Sequence, residues 1–245
     1  MQLALIATLR SWGIHPSASC GHSSGEIPAA YASGILSFET AIIFAYYRGL
    51  HTSTNRPEAS PTPGAMLAVG MSESEASKVL QDFKGYLTLA AVNSPMSCTI
   101  SGDLLHIDQF EAMLDNNDIF TLCLDVSQAY HSHHMLRFET TYETMMKQCA
   151  LADSPRPPTS PMFSSVTGRP VNWREMGPSY WTRNLVSPVR YNEALMGTVL
   201  GQFDEQQVDI LLEIGPDPAL KGPSPSDFDG QQNGNPPSSH FDQGK

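Results

Sequence analysis

The chain of 245 residues carries 14 Lys and Arg against 25 Asp and Glu, which gives a formal net charge of −11 at pH 7. This acidic balance, without any basic run, argues against a nucleic acid or a membrane as a partner. Apolar residues make up 40% of the chain, which is enough to build a hydrophobic core. The length suits one large domain or a domain with a subdomain.

Cysteine usage and the start of the chain indicate the compartment. The chain has four widely spaced cysteines and no CxxC pair, at Cys20, Cys98, Cys123 and Cys149. This pattern indicates a reducing, cytoplasmic environment. Residues 1–12 are briefly apolar but lack a basic region and a cleavage site, so they predict a core helix rather than a signal peptide.

The next section places a serine between two glycines. A short strand is predicted within residues 16–20, and it leads into Gly21-His22-Ser23-Ser24-Gly25. The patterns that follow predict two helices and then a polar, proline-rich loop, at residues 26–33, 38–49 and 51–64.

A Gly-x-Ser-x-Gly sequence between a strand and a helix is typical of a nucleophile elbow. The turn is tight, so we expect both Gly21 and Gly25 to be needed for it. The elbow would expose the Ser23 hydroxyl and leave the backbone N–H of Ser24 at a helix start, where it can stabilise an oxyanion. The alternative interpretation is a glycine-rich turn with an incidental serine. We expect His22 to be structural.

Residues 64–126 alternate between strands and helices. Strand-like segments and two helical patterns follow one another in the order βαββαβ, at 65–71, 72–83, 86–93, 97–102, 103–117 and 119–126. Ser72 and Glu75 have the spacing of a capping box at the first of these helices. The order predicts a ferredoxin-like subdomain.

The remaining chain is predicted to return to helices. The expected elements are a helix to about residue 152, a proline-rich loop at 153–161, a strand and turn at 162–168, helices at 178–186 and 190–203, and an apolar strand at 208–215. The polar composition of residues 223–245 predicts a disordered tail.

A serine nucleophile needs a base, and three of the eight histidines lie close together. They are His131, His133 and His134. A surface run of histidines and a zinc site are alternative interpretations. We expect no metal, because three histidines at this spacing cannot readily converge on one ion and no cysteine pair accompanies them.

Several motifs together resemble one family. In chain order they read GHSSGEIPAAYASG, AYYRG, GAMLAVG, NSP followed by TISG, AYHSHHM, FSSVTG, YWTRNLVSPVRY and LLEIGPDPAL. Over residues 1–222 the chain resembles the malonyl-CoA:acyl carrier protein acyltransferase domain of type I polyketide synthases, in particular the reducing synthases of filamentous fungi. The resemblance implies an α/β fold. Its α/β-hydrolase-like parallel-sheet core is formed by residues 1–63 and 127–222, with the ferredoxin-like subdomain of 64–126 inserted.

The resemblance also implies roles for individual residues. Ser23 matches the acyl-accepting nucleophile, His131 the catalytic base, and Arg48 the arginine that pairs with the malonyl carboxylate. A guanidinium suits that role because it binds a carboxylate through two hydrogen bonds. Tyr130 matches a position that narrows the pocket toward unbranched malonyl, and Asn93 either lines the site or caps a turn. A backbone carbonyl before the Gly-Pro-Asp-Pro motif is implied to orient the histidine.

The implied substrates are malonyl-CoA and the phosphopantetheine thiol of an acyl carrier protein, with no bound cofactor. The family's first strand and one oxyanion donor precede the segment matched here, so we expect an N-terminally truncated domain. Asp217 replaces a histidine of the family, which leaves an inactive fragment as an alternative. A serine esterase or thioesterase of the α/β-hydrolase class is less favoured, because those enzymes place their histidine near the end of the fold.

Overall fold

The computed structural model describes residues 1–52, 62–126, 128–149, 155–201 and 208–220. These residues form an α/β fold with a two-stranded sheet and a five-stranded sheet. Parts of the two predicted proline-rich loops, and the predicted tail at 223–245, lie outside the described residues.

The N-terminal section carries the serine motif at the end of a short strand. Its elements are α1 (Gln2–Ser11), β1 (Ser19–Cys20), a 3₁₀ turn (Ser23–Gly25), α2 (Glu26–Ala32) and α3 (Phe38–Thr52). Strand β1 pairs in parallel with β6 (Met162–Phe163), which confirms a strand before the serine. It is shorter than predicted because the pairing with β6 covers two residues only.

The five-stranded sheet is built mainly from the middle of the chain. Its first four strands are β2 (Gly64–Val69), β3 (Leu87–Ser94), β4 (Ser97–Asp103) and β5 (Thr121–Cys123), in the spatial order β5-β2-β4-β3. All pairings among these four strands are antiparallel. Helices α4 (Glu73–Val79) and α5 (Leu104–Asp115) connect them, so the observed order is that of a ferredoxin-like unit. The predicted capping box begins α4, since Ser72 and Glu75 exchange hydrogen bonds.

A fifth strand, β7 (Val189–Arg190), joins this sheet from the C-terminal section. It pairs in parallel with β3, Ala91 opposite Val189 and Val92 opposite Arg190, so the sheet is mixed. The sequence did not predict β7, because two residues between a proline and a helix carry no alternating pattern.

The C-terminal section is mostly helical. Its helices are α6 (His133–Leu136), α7 (Glu139–Cys149), α8 (Pro178–Val186) and α9 (Tyr191–Leu200). The main core lies among α2, α3, α7 and α8 and includes the buried side chains of Phe44, Tyr142 and Trp181. A second core packs the five-stranded sheet against α4 and α5. Burial of apolar surface in these two cores supplies the main driving force for folding.

The predicted strand at 208–215 is not observed, since residues 208–214 adopt no regular secondary structure. Ile210 is 81% exposed and Leu212 is 58% exposed. The prediction was wrong because an apolar run becomes a strand only by pairing with another, and no strand within the described residues pairs with this segment. The parallel pair β1 and β6 is also too small to establish the α/β-hydrolase-like core. The expected domain boundaries remain predictions.

The turn that presents Ser23 depends on one glycine rather than two. Ser23 adopts a positive φ of 54°. A Cβ on Gly21 would lie 2.3 Å from the carbonyl carbon and oxygen of Gly25. Gly25 itself has a helical φ of −63°, and a Cβ there would meet nothing within 4 Å among the described residues. The expectation that both glycines are needed is therefore corrected: the close approach requires only Gly21.

We expect Gly21→Ala to destabilise the protein by about 3 kcal/mol, because the new methyl group would overlap backbone that cannot move independently. Gly25→Ala is the matched control and should be neutral or stabilising by up to about 1 kcal/mol, since alanine favours helical backbone. Urea unfolding of both variants measures the difference. Equal midpoints for Gly21→Ala and the parent chain would contradict this description of the turn.

Candidate active site

Four of the residues selected from the sequence line one cavity of about 530 Å³. Ser23 and Ser24 lie at the turn before α2, Arg48 on α3, and Tyr130 just before α6. The rest of the lining comes from α1, α2 and α3, with Met1, Gln2, Leu3, Ile27, Pro28, Ala45, Gly49 and Thr52. The cavity is large enough for a small-molecule ligand, since ligand pockets begin at about 300 Å³.

Ser23 and His131 are in hydrogen-bond contact, which is the geometry that a nucleophile and its base require. The Ser23 Oγ lies 2.6 Å from His131 Nε2, although the two residues are 108 positions apart in the chain. His131 Nδ1 lies 2.8 Å from the carbonyl oxygen of Ser187. A carbonyl only accepts, so Nδ1 carries the proton and Nε2 is left to accept one from Ser23. Like Ser23, His131 has a positive φ, at 59°, which marks both positions as strained.

The carbonyl that orients His131 follows α8 directly. The resemblance implied a carbonyl near the Gly-Pro-Asp-Pro motif, whereas the structure uses Ser187 of the Tyr-Trp-Thr-Arg-Asn-Leu-Val-Ser motif. A backbone contact leaves no signature in the side-chain sequence, so this residue was missed.

His131 is held in its neutral form. It is 4% exposed, and its pKa is lowered to about 3, first by burial and then by the positive charge of Arg48 and by His22. The hydrogen bond to Ser187 opposes this shift only in part. A base must be unprotonated to act, so the imidazole is ready to accept a proton at neutral pH.

Arg48 is a buried cation without a carboxylate partner. It is 6% exposed, and among the described residues no Asp or Glu lies within ion-pair distance of its guanidinium. Arg48 Nη1 donates to Asn184 Oδ1 at 2.6 Å, and Nη2 donates to Ser23 Oγ at 3.1 Å. Burial lowers the pKa of Arg48, yet arginine stays protonated in proteins. The cavity therefore presents a positive charge beside the Ser23 hydroxyl.

Asn93 does not line this cavity. Its Oδ1 lies 2.9 Å from His22 Nε2, and its Nδ2 donates to Thr99 Oγ1 at 3.0 Å. The His22 ring also packs against Tyr191, with centroids 5.2 Å apart. The structure thus places Asn93 against His22 and Thr99 rather than in the cavity. The roles expected for Asn93 and His22 remain predictions.

The other two histidines of the cluster face a different carboxylate. His133 Nε2 and His134 Nε2 lie 3.1 and 2.7 Å from Asp103 Oδ1 at the end of β4. One possible ligand atom from each of Asp103, His133 and His134 lies within 4.8 Å of the other two. His133 and His134 therefore do converge on one point, contrary to the sequence argument against a metal site. His131 is not part of this group. Hydrogen bonds from both imidazoles to one carboxylate tie the segment after His131 to the five-stranded sheet. The expectation of no metal remains a prediction.

Sequence reasoning missed two buried residues behind the cavity, Asn184 and Glu26. Asn184 on α8 is 2% exposed and contacts Arg48, Ser23 and Glu26, while Glu26 is fully buried at the start of α2. A signal existed for Asn184, since it is a polar residue on the same helix face as the buried residues Trp181 and Leu185.

The helices in the described part of the chain include none that is both long and apolar enough to cross a membrane.

Comparisons with known proteins place this chain in one family. The acyl transferase domain family matches residues 1–227. The hybrid PKS-NRPS synthetase pynA of Aspergillus niger is 51% identical over 224 residues, which cover 91% of this chain and 6% of that protein. The highly reducing polyketide synthase curS1 of Aspergillus terreus is 43% identical over 235 residues, covering 91% and 10%. The chain thus spans about a tenth or less of the length of these relatives.

Solved structures agree with the sequence comparisons. The acyltransferase domain from the second module of the salinomycin polyketide synthase matches with a TM-score of 0.79 and 28% identity, over 96% of this chain and 51% of that one. The malonyl CoA-acyl carrier protein transacylase from Clostridium perfringens matches with a TM-score of 0.78 over 91% of this chain and 68% of that one, but at 22% identity it shows the fold alone. The cavity with its Ser23–His131 pair thus lies in a chain that belongs to the acyl transferase domain family, as an acyltransferase domain of the polyketide synthase type.

Proposed function

We propose that this domain transfers a malonyl group from malonyl-CoA to the phosphopantetheine thiol of an acyl carrier protein, through an ester on Ser23, in polyketide biosynthesis. The observation that carries the malonyl assignment is the buried guanidinium of Arg48, which lines the cavity of the nucleophile and has no carboxylate partner among the described residues. A buried unpaired charge is costly, and a carboxylate-bearing acyl group would supply the missing anion.

In the first half-reaction the Ser23 oxygen attacks the thioester carbonyl, and its proton passes to His131 Nε2. The tetrahedral intermediate collapses with cleavage of the carbon–sulfur bond, and the coenzyme A sulfur leaves with the proton from His131. The 2.6 Å contact between Ser23 and His131 gives the first proton transfer a direct path. The products are malonyl-Ser23 and free coenzyme A.

The second half-reaction reverses these roles. The phosphopantetheine thiol gives its proton to His131, and the sulfur attacks the ester carbonyl. The ester bond breaks, and Ser23 recovers the proton from His131. The backbone N–H of Ser24 is the proposed donor to the oxyanion in both halves.

Arg48 and Tyr130 would determine which acyl group the cavity accepts. A carboxylate bound to Arg48 would hold the thioester carbonyl beside Ser23, because Arg48 Nη2 already lies 3.1 Å from Ser23 Oγ. Tyr130 borders the same cavity, and we propose that its ring leaves room for unbranched malonyl and excludes a methyl branch. A serine esterase that acts on an uncharged ester would not need a buried cation at this position.

Intact mass after incubation with malonyl-CoA tests the covalent step. The parent chain should gain one malonyl group, and Ser23→Ala should gain none. His131→Ala should slow loading by about 10²–10⁴-fold without moving the attachment site, since this is the usual contribution of a general base. A malonyl adduct on Ser23→Ala would remove Ser23 from the proposal, and release of free malonate without transfer to a carrier thiol would indicate a hydrolase.

Replacement of Arg48 tests the choice of acyl group. Arg48→Ala should lower malonyl loading by about 100-fold, since a lost charged hydrogen-bonded contact costs about 3 kcal/mol. Acetyl loading should rise, because a neutral acyl chain no longer lies against a buried charge. Arg48→Lys keeps the positive charge but not the paired N–H donors of the guanidinium, so it should recover only part of the malonyl loading. Equal losses for both acyl groups would make Arg48 structural.

The lowered pKa of His131 predicts an unusual pH profile. In the folded state the pKa of His131 lies at about 3, below the ordinary value of about 6.5, so the imidazole stays a base as the pH falls through 6.5. The rate at which a neutral fluorophosphonate modifies Ser23 should therefore stay nearly constant from about pH 7.5 to about pH 5.

The same shift predicts the pH dependence of stability. The unfolded chain binds a proton on this imidazole near pH 6.5 and the folded chain does not, so the contribution of His131 to the free energy of unfolding is present above that pH and is lost as the pH falls.

In the labelling experiment, circular dichroism at each pH checks that the chain is still folded. A folded protein whose labelling rate halves near pH 6.5 would contradict the shift.

A further inference from the structure

We propose that Asn184 is a positioning residue that fixes the guanidinium of Arg48 for carboxylate recognition, and that Glu26 in turn fixes the amide of Asn184. This inference rests on the proposed malonyl transfer and assigns the residues that give its substrate site a defined geometry.

The amide of Asn184 has three contacts, and they determine its orientation. Its Nδ2 donates to the Ser23 carbonyl oxygen at 3.1 Å and to Glu26 Oε2 at 2.8 Å. Both partners only accept hydrogen bonds, so the NH₂ end must face them. Oδ1 is thereby directed at Arg48 Nη1, 2.6 Å away. A flipped amide would set oxygen against a carboxylate and NH₂ against a guanidinium.

Glu26 is itself fixed by the surrounding protein. Its carboxylate is fully buried and accepts hydrogen bonds from the Tyr180 hydroxyl at 2.8 Å and from the backbone N–H of Ser165, in addition to Asn184. Burial raises the pKa of Glu26, and these hydrogen bonds oppose that rise. Its three donors come from α8 and from the segment after β6, so Glu26 connects the turn at Ser23 to two other parts of the core.

A neutral oxygen is the suitable partner for this guanidinium. If a carboxylate held Arg48 directly, the internal ion pair would compete with an incoming acyl carboxylate. The amide oxygen of Asn184 orients Nη1 and leaves the positive charge available to a ligand. Glu26 contacts the amide of Asn184 and not the guanidinium. Arg48 is thus oriented without being neutralised.

Loading kinetics with malonyl-CoA and acetyl-CoA test this inference. Asn184→Ala should raise the KM for malonyl-CoA and lower the malonyl-to-acetyl preference by about tenfold, which corresponds to one hydrogen bond of about 1.4 kcal/mol to a charged group. Labelling of Ser23 by a fluorophosphonate should fall by less than malonyl loading does, because the 2.6 Å contact between Ser23 and His131 involves neither Asn184 nor the acyl carboxylate. Thr182→Val is the matched control, since Thr182 is equally buried on α8 and bonds only to the Pro178 carbonyl in the observed contacts.

A double-mutant cycle separates a positioning role from general damage. In an Arg48→Ala background, Asn184→Ala should leave the malonyl-to-acetyl preference unchanged, because its target is already absent. An equal loss of malonyl loading, acetyl loading and fluorophosphonate labelling in the single variant would overturn the inference, as would an additive effect in the double variant. If Asn184→Ala does not fold, Asn184→Ser keeps a small polar side chain but removes the oxygen that contacts Arg48, so it should lower malonyl loading more than acetyl loading. An unchanged preference in that variant would also overturn the inference.

Failure of the proposed function would be visible separately. A parent chain that shows no preference for malonyl-CoA over acetyl-CoA contradicts the function itself. A clear preference in the parent that persists in Asn184→Ala contradicts only the role of Asn184.

Discussion

The site is organised around one buried positive charge that the protein leaves without an anion. Among the described residues, Arg48 donates to the amide oxygen of Asn184 and to the hydroxyl of Ser23 and also interacts with Tyr142, and no carboxylate lies within ion-pair distance. Burial of such a charge costs free energy that the fold must recover elsewhere. The large buried aromatic residues of the core around α3 and α8, Trp181 and Tyr142, provide part of that recovery.

The same charge influences His131, the proposed base. Together with burial, it lowers the pKa of His131 and keeps the imidazole neutral while the cavity is empty. A bound acyl carboxylate would offset the charge of Arg48 and so make protonation of His131 easier. That change would occur when His131 must accept the proton of Ser23. One residue could therefore both select the acyl group and adjust the base to its presence.

The sequence was informative where a side chain's identity carries the chemistry. Ser23, His131 and Arg48 belong to motifs with distinctive spacing, and the βαββαβ order followed from strand-like and helical patterns of 6 to 15 residues. It was uninformative where the contact is made by backbone or depends on a distant partner. The carbonyl of Ser187 and the two-residue strand β7 are of this kind. The prediction of a strand at 208–215 failed for a related reason, because an apolar sequence does not specify which strand it would pair with.

A crystal structure of the malonyl ester of Ser23 would test the central claim most directly. We predict that the malonyl carboxylate binds Arg48 through two hydrogen bonds of about 2.8 Å, while Arg48 keeps its contact with Asn184. An acyl carboxylate that points into solvent, or an Arg48 side chain that has turned away from the ester, would contradict the account.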